Sequence, residues 1–115
     1  PTPPCEWSEA VAIDPVLLFR YSALTFNGHR IHYDKPYAVE TEHYPDLVVH
    51  GPLQATLLFD AATRRAPDRT PASFSFRGVR PLFVHEGASV GGRPGDEGWE
   101  LYASNGEGAV TMQAA

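Results

Sequence analysis

Gly51-Pro52-Leu53-Gln54-Ala55-Thr56-Leu57-Leu58-Phe59-Asp60-Ala61-Ala62-Thr63-Arg64-Arg65-Ala66 is the stretch on which the fold turns. Pro52 stands in the first turn, where a missing N–H costs nothing, and Pro67 prevents continuation. Arg64 and Arg65 suit the negative end of a helix dipole. Leu53, Ala55, Leu57, Leu58, Phe59, Ala61 and Ala62 run nearly all the way round the circumference. A helix apolar on most sides belongs in a core, so the pattern predicts a long core helix over residues 51–66.

Outward from that helix the chain divides in two. On its N-terminal side, residues 7–13 alternate loosely and read as a strand. Asp14-Pro15 is a helix start, with Leu17, Leu18, Tyr21, Leu24 and Thr25 at helical spacing up to Phe26, before Asn27-Gly28. Residues 36–41 predict a short second helix, broken at Pro45-Asp46. On its C-terminal side the period changes to two, predicting strands at 73–77, 82–84, 99–104 and 109–113. Residues 91–98 are glycine-rich without phosphate-binding spacing and read as a hairpin loop. The class is α+β: an antiparallel sheet wrapped around one long central helix.

The bulk numbers bound the rest. At 115 residues and 43% hydrophobic, the chain is one domain that needs no metal or disulfide staple. Cys5 is its sole cysteine, which rules out an intrachain disulfide and fits a reducing, cytoplasmic setting. A net charge of −5 argues against nucleic acid as a partner, since phosphate binding wants a basic face. No apolar run approaches the roughly 20 residues of a membrane span. The opening Pro-Thr-Pro-Pro leads us to read residues 1–6 as a linker remnant and 7–115 as the domain, cut from a longer protein.

The chemistry concentrates in Tyr21-Ser-Ala-Leu-Thr-Phe-Asn-Gly-His-Arg-Ile-His-Tyr-Asp34. Asn27 and His32 stand five positions apart in a polar turn after an apolar helix. An amide that orients water and an imidazole that takes its proton suit water addition to an activated double bond. The bland readings are a surface or capping histidine and an asparagine that only ends the helix. At His50-Gly51-Pro52-Leu53 the glycine opens a helix and presents a backbone N–H suited to an oxyanion; its plain reading is an ordinary helix opening. A metal site drawn from His29, His32, Asp34, His43 and His50 is the competing reading. His-x-x-His-x-Asp matches no common ligand spacing and Arg30 opposes a cation, so we expect no metal. Ser22 lacks a Gly-x-Ser-x-Gly surround, and a serine-hydrolase reading fails. Arg77 and Arg80 read as solvated strand residues.

These residues resemble the MaoC-like, hot-dog-fold hydratases, which carry Gly-Asp-x-Asn-Pro-hydrophobe-His and an Asp two positions on. Aligned on His32, the chain reads Phe26-Asn27-Gly28-His29-Arg30-Ile31-His32-Tyr33-Asp34. Asn27 thus stands at the family's Asp, as in the subgroup of mesaconyl- and itaconyl-CoA hydratases and mitochondrial-type thioester dehydratases. Val48-Val49-His50-Gly51-Pro52-Leu53 is similar to the family's second motif. The resemblance implies a hot-dog fold with the long helix as filling, and reversible hydration of 2-enoyl thioesters to 3-hydroxyacyl thioesters. It implies catalytic roles for Asn27, His32 and Gly51, and substrate contacts from His29, Arg30, Asp34, His50 and Leu53. It implies no cofactor beyond the coenzyme A or acyl carrier protein on the substrate. It implies a second hot-dog unit as partner, either another copy or a separate N-terminal half, with this chain as the catalytic C-terminal unit. A hot-dog thioesterase, or a non-catalytic acyl-binding or assembly module, remains the alternative.

Overall fold

The computed structural model describes residues 1–96 and 98–115. Five antiparallel strands, β1 (Trp7–Val11), β2 (Phe76–Gly78), β3 (Ala88–Pro94), β4 (Trp99–Asn105) and β5 (Val110–Ala114), form one sheet in the order β1-β3-β4-β5-β2. Helix α2 (Gly51–Arg65) packs on β3, β4 and β5, and helix α1 (Pro15–Leu24) is joined to it through a 3₁₀ turn (Arg30–His32) and a single π-helical turn (Tyr37–Thr41). This is the hot-dog architecture anticipated above.

Both helix starts follow from sequence. The Asp14 carboxylate accepts the Leu17 N–H at 2.8 Å, with Pro15 next in line. The end of α1 differs from expectation. Asn27 N–H reaches Ser22 O at 2.8 Å and Phe26 N–H reaches Ala23 O at 3.3 Å, the paired bonds of a Schellman motif. The left-handed residue is therefore Phe26 (φ 54°), not Asn27. Asn27 instead spends its side-chain oxygen on the His29 N–H at 3.0 Å and opens the next turn.

Helix α2 is less enclosed than its composition predicts. Leu53, Gln54, Ala55, Leu58 and Ala61 are buried, whereas Pro52, Thr56, Phe59 and Asp60 face outward. Ala55, Leu58 and Ala61 pack on Val90, Leu101, Ala103, Met112 and Ala114 of the sheet. Leu53 belongs to a second core with Leu18, Ala38, Leu47, Val49 and Leu82. The sheet thus covers one side of α2, and the α1 layer covers part of another.

Three strand assignments change. The strand expected at 73–77 is β2, which begins only at Phe76 and runs to Gly78. Residues 82–84 do not form a strand: Phe83 makes an isolated bridge to Val48, and Val84–Glu86 is a 3₁₀ turn. A strand appears instead at β3, whose second half, residues 91–94, falls in the segment read as a loop. Its glycines are there for close approach: a Cβ on Gly91 would meet Trp7 O at 2.8 Å, and one on Gly92 would meet the Trp7 ring at 2.8 Å. The reversal comes later, where Gly95 N–H bonds Gly98 O at 2.6 Å; Glu97, inside that predicted loop, lies outside the described residues. Residues 1–6, expected as a linker remnant, lie against the sheet, with Thr2 N–H on Gly108 O at 2.8 Å and Glu6 N–H on Gly92 O at 2.8 Å. No helix among the described residues is long and apolar enough to cross a membrane.

Candidate active site

His32 ends the 3₁₀ turn, and this turn is tied to Val48 twice. Val48 N–H donates to Ile31 O at 3.0 Å, and His32 Nδ1 lies 2.6 Å from Val48 O. A carbonyl only accepts, so Nδ1 carries the proton and Nε2 keeps its lone pair. The ring is buried. Burial pushes its pKa below the ordinary 6.5, the Val48 carbonyl pulls the other way, and His29 adds a push downward. His32 is therefore an uncharged imidazole at neutral pH, with one basic nitrogen unspent.

His50 caps α2 and stacks on His32, with ring centroids 3.8 Å apart and planes 18° from parallel. It is fully buried. Its Nε2 lies 2.7 Å from Ser22 Oγ, Tyr21 meets its edge at 4.8 Å, and its Nδ1 has no partner among the described residues. Burial first, and the neighbouring His32 second, push its pKa down to about 4. A proton on either ring disfavours a proton on the other across the stack.

Of the other residues singled out by sequence, the structure sets Gly51 and His29 beside this pair. Gly51 follows His50 directly and is the first residue of α2, where an N–H has no intrahelical acceptor. The His29 ring stands edge-on to His32 at 5.8 Å. Asn27 is half-buried; with its oxygen occupied by His29 N–H, its amide NH₂ is the group it can offer. Arg30 and Asp34 are engaged elsewhere. Arg30 bonds Asp34 Oδ2 at 2.9 Å and covers the Tyr37 ring at 4.2 Å, while Asp34 Oδ1 accepts the Tyr37 N–H at 3.2 Å. The Arg30 bond, followed by that N–H, holds the Asp34 carboxyl below its ordinary range. The two residues stabilise the π-helical turn. Leu53, two residues after Gly51, is buried in the second core.

Sequence reasoning missed Ser22 and the Val48 carbonyl. Ser22 carries one signal: with Leu18 it forms the buried i, i+4 edge of α1, where a polar group needs a partner. Its contact with His50 is not a hydrolase dyad, since both are buried and no carboxylate orients His50 Nδ1. As for metal, no group of three or more His, Cys, Asp or Glu converges among the described residues. Two rings stacked nearly parallel cannot aim lone pairs at one ion. A cavity of about 330 Å³ opens beside Phe76, Arg77, Glu100 and Tyr102, on the sheet edge, and none of the site residues lines it.

The model of the family described as hydroxyacyl-thioester dehydratase type 2 matches residues 1–84. Mesaconyl-C(4)-CoA hydratase of Chloroflexus aurantiacus is 49% identical over 107 residues, covering 93% of this chain and 38% of that protein. The mitochondrial hydroxyacyl-thioester dehydratase type 2 of Schizosaccharomyces pombe is 40% identical over 74 residues, covering 63% of this chain and 25% of that protein. Among solved structures, HtdX of Mycobacterium tuberculosis superposes with a TM-score of 0.75 at 26% identity, covering 98% of this chain and 44% of that one. The chain therefore spans less than half the length of these relatives. Motif, fold and family match coincide on the same residues, and the chain belongs to the hydroxyacyl-thioester dehydratase type 2 family of MaoC-like, hot-dog-fold proteins.

Proposed function

We propose that this chain carries the catalytic residues of a hydro-lyase that adds water reversibly to a 2-enoyl thioester, giving the 3-hydroxyacyl thioester. The observation that carries the reading is the neutral His32, its Nδ1 committed to Val48 O and its Nε2 free, beside the opening of α2.

In this reading the Gly51 N–H donates to the thioester carbonyl oxygen and makes carbon 3 electrophilic. The Asn27 amide donates to the attacking water, whose oxygen bonds to carbon 3 while its proton passes to His32 Nε2. The double-bond electrons move to the enolate oxygen at Gly51. The His32 imidazolium then returns its proton to carbon 2, which restores the base. Reversal of the same steps is the dehydration. One imidazole thus serves as base and acid in turn, and the Asn at position 27 contributes no proton. The scheme calls for no metal or redox cofactor, and coenzyme A or an acyl carrier protein is the handle of the substrate.

A second hot-dog unit, another copy or a separate upstream half, completes the acyl pocket. Two features support this: the relatives are more than twice as long, and Phe19, Leu24 and Phe26 leave an apolar rim exposed at the site end of α1. We place the protein in the cytoplasm, which suits the single unpaired cysteine.

Crotonyl-CoA is the test substrate. Loss of enoyl absorbance without thiol release supports the hydratase. Thiol release makes the chain a thioesterase, and binding without either makes it an acyl-binding module. A panel that includes mesaconyl thioesters then sets the acyl preference.

A further inference from the structure

Asp46 is a buried carboxylate outside the site, 5% exposed, and it meets three groups from three segments. Its Oδ1 accepts the Leu47 N–H at 2.7 Å and lies 3.6 Å from Lys35 Nζ; its Oδ2 lies 2.9 Å from His85 Nδ1. Burial alone would raise its pKa, but the Leu47 N–H, His85 and Lys35 outweigh it and hold the carboxyl below its ordinary value. It is ionised at neutral pH. Leaving such a group without partners in a buried position is expensive, so its neighbours are fixed along with it.

What it fixes is the strip of residues 47–49. Leu47 O accepts the Val84 N–H at 3.0 Å, Val48 N–H donates to Ile31 O at 3.0 Å, and Val49 N–H donates to Leu82 O at 2.8 Å. One carbonyl of this strip, Val48 O, points the other way and takes His32 Nδ1 at 2.6 Å. The strip also leads into His50. The turn that carries His85 is itself pinned: Phe83 N–H bonds Glu86 Oε1 at 2.9 Å, and Asn105 Nδ2 bonds Glu86 Oε2 at 3.3 Å. Lys35 comes three residues after His32. The Asp46 carboxylate therefore joins the segment that bears the base to the segment that orients it.

We propose that Asp46, held by His85, is a positioning residue for His32: it fixes the strip whose Val48 carbonyl sets the tautomer and aim of that imidazole. The activity part of this proposal rests on the hydratase reading; the tautomer part does not.

The test uses the chain itself, with histidine side-chain ¹⁵N spectra alongside crotonyl-CoA kinetics. The unaltered protein is expected to hold His32 in the Nδ1–H form. Asp46→Asn should populate both tautomers and lower kcat about tenfold with KM within about twofold, because misaim costs rate rather than binding. His85→Ala should act in the same direction, more weakly, and His85→Gln, whose amide can still donate to Asp46, should recover most of the loss. A folded Asp46→Asn protein with an unchanged His32 spectrum overturns the proposal, whatever its activity. If Asp46→Asn does not fold, His85→Ala and Lys35→Met decide by the same spectrum. If the unaltered chain, alone and paired with its upstream half, hydrates no thioester, the hydratase reading falls, and the spectra alone still settle the positioning claim.

Discussion

The sheet and the layer around His32 are built on different principles. Strands β3, β4 and β5 pair over long ladders, and side chains such as Leu58, Leu101 and Met112 close the core by packing. The His32 layer has no ladder. Its geometry rests on single contacts: Val48 O on His32, Ser22 Oγ on His50, Asp46 on His85. Packing distributes an error over many neighbours, whereas a single polar contact does not. Substitutions in the sheet should therefore cost stability, and substitutions in the layer should cost function.

The largest expected effect is on that functional side. His32→Ala is expected to lower hydration of crotonyl-CoA by about a hundredfold or more, the usual scale for a positioned acid/base group, with the circular dichroism of the native fold retained. Near-normal turnover in the folded variant would remove His32 from the mechanism. Leu58→Ala sharpens the contrast from the other side. Leu58 is fully buried against the sheet, and its truncation should cost about 2–5 kcal/mol in denaturant unfolding. Turnover per folded molecule should stay the same; a parallel fall in kcat would show that the two layers are not separable.

A smaller effect tests the stacked pair. The folded pKa of His50, about 4, lies below its ordinary 6.5, so the neutral ring favours the folded state. Its contribution is complete above about pH 6.5 and is lost as pH falls toward 4, a change of roughly 3 kcal/mol from about 1.4 kcal/mol per unit. Asp46, also depressed, is lost only as pH falls below its ordinary 3.8, so the two windows are distinct. His50→Phe, which keeps a ring on His32 without a titrating group, should make the unfolding midpoint less steep in pH between 6.5 and 4, leaving the part carried by the also depressed His32. An unchanged slope would mean that another group carries it.

Much of this arrangement could be read from the chain. Asp14-Pro15 and Gly51-Pro52 mark helix starts because capping and proline geometry are local properties. His32 stood out for its company. What escaped the reading is non-local. Gly91-Gly92 reads as a turn in isolation, and it becomes a strand because Trp7, far away in sequence, occupies the space its side chains would fill. Phe26 takes the left-handed position that Asn27-Gly28 advertises, because the Schellman bonds fall one residue earlier. Ser22 meets His50 across 28 residues, and a backbone carbonyl such as Val48 O leaves no mark in a sequence at all.

The notch at Gly91 and Gly92 has a consequence for how the molecule assembles. Strands β3, β4 and β5 follow one another and can pair as a local meander, while β1 must return across some eighty residues to reach Gly92. The last strand to dock therefore meets a surface already shaped. Trp7 opposite Gly92 fits that surface; a shift of one residue would turn every β1 side chain to the other face and bring the indole out of its notch. The two glycines act as a keyway for the incoming strand: they admit one alignment of β1, and the sheet closes in that register.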